Sequence, residues 1–208
     1  MSRAPRFIDR YVFLFHLVKG FATKGFGVFQ QGLSTVQYHH PDALGFGGQE
    51  EQRAITVLRE ILKSHSIRGV EKSILLDVRT GPGSEGAETI IPNTREDVAI
   101  ATTIFAGTKV LSKDGGSGPT GDVVPHDILG EKSLVFKENF GTIRWFFVLR
   151  ALFLENAAYN YAKGSHVHAV MQEWVRDAFY PQTMAYKKAV LEKGVTAFNC
   201  AWKHLSEV

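Results

Sequence analysis

Glycine is packed into the first 48 residues at a density that opposes any long helix there. Gly20, Gly25, Gly27, Gly32, Gly45, Gly47 and Gly48 stand among seven of the chain's 15 phenylalanines: Phe7, Phe13, Phe15, Phe21, Phe26, Phe29 and Phe46. Each glycine inside a helix costs about 1 kcal/mol relative to alanine. The segment therefore predicts a short amphipathic helix from about Phe7 to Val18, then an extended strap whose rings need a groove. That strap either packs on its own core or docks on another subunit, because large apolar side chains on a chain end otherwise expose a sticky patch. The segment also holds the charge excess. Arg3, Arg6, Arg10, Lys19 and Lys24 face only Asp9 and Asp42, while the other 19 bases and 19 acids cancel, leaving +3 overall. Such an asymmetry suits an arm that meets phosphates, anionic lipid or an acidic protein surface.

With 208 residues, 44% hydrophobic and 22% charged, the chain has enough apolar material for one ordinary core. Wholesale disorder and collagen-like repetition are excluded by the same fractions. Cys200 is the single cysteine, so neither an intrachain disulfide nor a thiolate metal cluster can form. The most lipid-like stretch, Trp145 to Leu154, is broken by Arg150 and falls far short of the ~20 residues a spanning helix needs, so no membrane insertion is expected. The start lacks a small-residue cleavage site for secretion. Its basic character, with Asp9 the only acid before Asp42, does fit a mitochondrial targeting helix.

From Gln49 the pattern turns helical, with Ile55, Leu58, Ile61 and Leu62 on one face as far as Ser64. Ser73–Arg79 and Glu88–Ile91 read as two short strands joined by the turn Gly81–Gly86, a small hairpin. Asn93 caps a helix running through Leu111, and Pro125 opens a short one carrying Ile128, Leu129, Leu134 and Phe136. Thr142–Lys163 is the strongest helix. Gly164 ends it, and Ser165 caps the next, which reaches Tyr180. Pro181 begins another that stops at Gly194, and Thr196–Ser206 closes the chain. The fold class expected is mainly α: a multi-helix core domain over residues 49–208 with one small β-hairpin, and an extended N-terminal arm over residues 1–48.

The chemistry-bearing residues are sparse. His166 and His168 would project about 200° apart around a helix, and ligands sharing a metal normally sit three or four residues apart. No metal and no cofactor is expected. A small metal-dependent enzyme using His39, His40, His166 or His168 is the weakest alternative. Gly81-Pro82-Gly83-Ser84-Glu85-Gly86 lacks the lysine-serine/threonine ending of a phosphate loop and reads as a turn. There is no G-x-S-x-G elbow, no H-E-x-x-H, and no evident base for Cys200, so the chain is not expected to be an enzyme. Thr142-Ile143-Arg144-Trp145-Phe146-Phe147, by contrast, sets a guanidinium beside aromatic rings, as nucleic-acid binding requires: phosphates accept charge-assisted hydrogen bonds while bases stack. The bland reading of that stretch is a buried helix whose arginine reaches solvent.

Gly115-Gly116-Ser117-Gly118-Pro119, then Thr142-Ile143-Arg144 leading to Glu155-Asn156-Ala157-Ala158-Tyr159, then Val195-Thr196-Ala197-Phe198-Asn199-Cys200-Ala201-Trp202 resemble, in order, motifs in coat proteins of flexible filamentous plant viruses of the potexvirus and potyvirus type. The family's late aspartate corresponds here to Asn199. The resemblance implies a helical core that binds single-stranded RNA, with Arg144 on phosphate, Ser117 on backbone or base, and Asn199 positioning Arg144 or the nucleotide. It also implies self-association into a filament through the N-terminal arm, in a virion or the host cytoplasm. The competing expectation is an accessory structural subunit of a mitochondrial membrane complex, with the basic start directing import or lying on lipid.

Overall fold

In the computed structural model the chain is described over residues 4–24, 37–65, 70–111, 129 and 132–207. Helix α1 (Asp9–Lys24) opens where the buried Asp9 carboxylate accepts the Arg6 backbone N–H at 2.7 Å. It runs past Val18 and through Gly20, against the glycine penalty. The compensation is packing: Phe13 and Leu17 are buried, and the Phe13 ring lies 5.7 and 5.9 Å from those of Phe146 and Phe153. Helix α2 (Arg53–Ser64) buries no side chain despite its apolar stripe.

Four strands form one sheet: β1 (Ser73–Gly81), β2 (Glu88–Pro92), β3 (Lys109–Val110) and β4 (Ser133–Gly141). The order is β1-β4-β2-β3, with β1 and β4 parallel, β4 and β2 antiparallel, and β2 and β3 parallel. This corrects the mainly α reading with one hairpin, because the protein is a mixed α/β fold. β1 and β2 do not pair with each other. β4 lies between them, in the stretch where Leu134 and Phe136 had suggested a helix. Six of the nine residues of Ser133–Gly141 are buried and none is exposed, as suits a central strand, so its apolar residues carry no clean period of two.

One face of the sheet is covered by α3 (Asp97–Ile104) and α6 (Met184–Ser206), which close a core of Ile90, Phe105, Phe136, Ala197 and Ala201. α3 is shorter than the expected Asn93–Leu111 helix because Gly107, at φ 92°, turns the chain into β3. α6 is one helix of 23 residues where two were expected. Ala197 and Ala201 dock on the sheet beyond Gly194 and hold the helix across it. A second core joins α4 (Trp145–Ala162) to α5 (His166–Phe179) through Val148, Ala151 and Ala178. Here the sequence signals are met as expected: Gly164 has φ 78°, and Ser165 accepts the His168 N–H.

Gly141 is where the two backbones crowd. A Cβ built there would lie 2.3 Å from the Ser84 carbonyl oxygen. At Gly164, where φ is positive, a Cβ would meet nothing within 4 Å. Gly141→Ala should therefore lower stability by about 2–4 kcal/mol, against about 1–2 kcal/mol for Gly164→Ala, where only the left-handed backbone objects. Urea midpoints of the two variants compare these costs directly.

Candidate functional site

The parallel pair β1–β4 ends at Gly81 and Gly141, opposite one another in register. Loops leaving the carboxyl ends of parallel strands are where α/β folds place ligands. Here the loop Pro82–Gly86 is stitched onto the chain following β4. Gly83 N–H donates to the Ile143 carbonyl at 3.0 Å, Gly86 N–H to Gly141 at 2.9 Å, and Thr142 donates through both N–H and hydroxyl to Gly81 at 2.9 and 3.0 Å. From the other side α6 clamps it: Lys193 Nζ donates to the Gly86 carbonyl at 2.6 Å, and the Thr183 hydroxyl bonds the Glu85 carboxylate.

Between this loop and the start of α4 lies a pocket of about 500 Å³, lined by Pro82, Gly83, Ser84, Arg144, Trp145, Phe146 and Phe147. Arg144 is exposed and occupies the N-cap of α4, which has no side-chain cap. The positive end of the helix dipole therefore opens beside the guanidinium. Trp145 and Phe147 are also exposed. A smaller pocket of about 230 Å³ shares Phe147 and adds Arg10, Arg150, Trp174 and Asp177. Arg10 lies 4.5 Å over the Trp174 ring and Arg150 lies 5.0 Å over Phe147. Burial, and then the neighbouring Arg10 charge, lower the Arg150 pKa from its usual range. Asp177, the one acid in that lining, is 3.3 Å from Arg176.

A different arrangement lies under α6. Glu138 on β4 and Glu88 on β2 are diagonal neighbours on the same face, since Glu88 pairs with Phe140 and Ile90 with Glu138. The two carboxyl groups hydrogen-bond each other, Thr108 bonds Glu88, and the Oε1 atom of each glutamate has no partner among the described residues. Burial, then the hydrogen bond and charge of Glu88, push the Glu138 carboxyl up to about 7. Burial also raises Glu88, against the Glu138 hydrogen bond and the Lys193 charge. The pair shares a proton through the acid range.

One family aligns with residues 1–193, under the description protein of unknown function (DUF2817). The chain belongs to that family. No curated protein and no solved structure matches it. This corrects the resemblance to filamentous virus coat proteins: the family that matches spans nearly the whole chain, including Thr142–Arg144, and its description names no coat protein. The short motifs had matched in order without matching the fold, whose centre is a strand.

Of the residues that resemblance singled out, Arg144 borders the larger pocket. Asn199 is exposed on α6, ten residues beyond Ala189, the side chain that abuts Gly86. It therefore sits about 15 Å further along the helix, toward the opposite end of the sheet. The structure does not bring Asn199 to Arg144. Ser117 lies outside the described residues. His166 packs edge-on to Phe7, while the buried His168 accepts the Gly164 N–H at Nδ1 and points Nε2 at Glu155, 3.4 Å away. The sequence reading passed over Pro82–Ser84 as a mere turn, and it passed over Glu138. The available signal was Phe136-x-Glu138-x-Phe140, which on a strand puts a carboxyl on an apolar face.

Because folding raises the Glu138 pKa from 4.5 to about 7, the native state binds the extra proton between those values. Its contribution is complete below the lower value and is lost as pH rises through the upper one. Wild-type stability should thus fall by on the order of 2 kcal/mol from pH 5 to pH 8 through this group. Glu138→Gln should flatten that slope and match or exceed wild type at pH 8, read from thermal unfolding across pH.

Proposed function

We propose that this protein is a binding module for single-stranded nucleic acid, RNA foremost, gripping phosphates with Arg144, Arg150 and Arg10 and stacking bases on Trp145 and Phe147. One observation carries the reading: two pockets meet at Phe147 and together place three arginines among exposed or half-buried aromatic rings. Among the described residues, none of the three has a carboxylate within ion-pair distance, and Arg10 and Arg150 lie close enough for their like charges to repel. A polyanion relieves that repulsion, and an aromatic face accepts any base. The uncapped N-terminus of α4 adds the dipole at the same place. Such contacts position a strand without reading its sequence. Polymerisation into a filament forms no part of this proposal, since it came only with the coat-protein resemblance.

Fluorescence anisotropy with a labelled oligouridine across a salt series tests it. Binding should weaken steeply with salt. Arg144→Ala should reduce affinity and shrink the logarithmic salt slope by about 0.7. Trp145→Ala should cost about 1–3 kcal/mol with the slope unchanged. No binding at low salt, or equal affinity in both variants, refutes the proposal.

A further inference from the structure

Among its described side chains, helix α1 buries only Asp9, Phe13 and Leu17. The opposite face carries Ile8, Tyr11, Leu14, Phe15 and Val18, which recur every three or four residues and are each between 53% and 76% exposed. The Val12 N–H donates to the Ile8 carbonyl at 3.2 Å, so the helical spacing holds from Ile8 onward. At about 100° per residue these five side chains fill an arc of about 120°. Arg10 lies about 40° beyond one edge of that arc, and Lys19 about 20° beyond the other. Lys19 is exposed. Tyr11, in the middle of the arc, stands near enough to Arg150 to act on it through its charge.

We infer that this face of α1 docks on the surface of an anionic lipid bilayer, with the helix lying in the headgroup plane. Charge selects that occupant. Residues 1–24 hold Arg3, Arg6, Arg10, Lys19 and Lys24 against Asp9 alone. Asp9 is buried and accepts the Arg6 N–H, so the described part of the helix offers no exposed anion. A second copy on the same face would set these cations against their own kind, whereas lipid phosphates and carboxylates complement them. The cations also stand at both edges of the apolar arc. A helix lying flat needs that placement, because the stems follow the apolar side chains inward while the charged groups reach back to the headgroups. Aromatic and aliphatic side chains on such a face enter the boundary between headgroups and acyl chains to a depth of about 5–10 Å. Lipid closes around whatever projects, so a convex face needs no matching groove. The contact is peripheral: among the described residues no helix is long and apolar enough to cross a membrane. It is also independent of the nucleic-acid reading, since none of the five side chains lines either arginine pocket.

Flotation of the full chain with phosphatidylcholine vesicles, with and without about one-third phosphatidylserine, tests this. The protein should float with the anionic vesicles and stay behind with the neutral ones, and added salt should reduce the flotation. Leu14→Glu with Val18→Glu should weaken partitioning about tenfold or more while far-UV dichroism is preserved. Should that double variant lose its helical signal, Tyr11→Glu supplies the same test with one change at the most exposed position of the face. Lys19→Gln should weaken binding to the anionic vesicles about fivefold. No flotation with anionic vesicles at low salt overturns the inference. So does flotation undiminished by the glutamate variants, or a lipid-free dimer in sedimentation equilibrium that Tyr11→Glu abolishes, which would give the face to a second copy.

Discussion

The carboxyl end of the sheet depends on one close approach. Gly141 has no side chain, and the Ser84 carbonyl occupies the space where one would begin. That contact lets the Pro82–Gly86 loop lie flat on the chain leaving β4. From there, hydrogen bonds to Gly141, Thr142 and Ile143 set the angle at which α4 departs. The direction of α4 decides where Arg144, Phe147 and Arg150 stand, one and two turns apart along the same helix. The larger pocket is thus a consequence of backbone packing at a glycine, and the aromatic and cationic side chains furnish it.

The same strand carries a cost on its other side. Glu138 is fully buried between Phe136 and Phe140, and it survives there by sharing a proton with Glu88. Lys193 stands near enough to act on Glu88 through its charge, while its ammonium group also ties the loop at Gly86. Lys193 of α6 thereby stands between the loop and the carboxyl pair. Buried carboxyl groups of this kind lower stability at neutral pH while specifying how the elements above them sit.

Several elements were legible from local signals. The Gly164-Ser165 junction between α4 and α5 was readable because capping chemistry depends on adjacent residues only. The strand β1 and the loop after it were readable for the same reason. β4 was not, because a central strand is covered on both faces and its apolar residues lose their alternation. α6 was split in error at Gly194, since a glycine penalty of about 1 kcal/mol is small beside the burial of the flanking alanines. Of the candidate site, Arg144 and its aromatic neighbours were visible as a contiguous run. Arg10 and Arg150 were not, because they meet only through the packing of α1 on α4.

By itself the sequence determined the absence of an intrachain disulfide, the helix boundary at Gly164 and Ser165, and a guanidinium set among rings. These follow from single side chains and spacings of a few residues. Only the tertiary structure decided that β4 runs between β1 and β2, that two glutamates 50 residues apart share a proton, and that three arginines gather at one face. Strand order and long-range charge proximity come from which surfaces bury against which, and no local pattern encodes that competition.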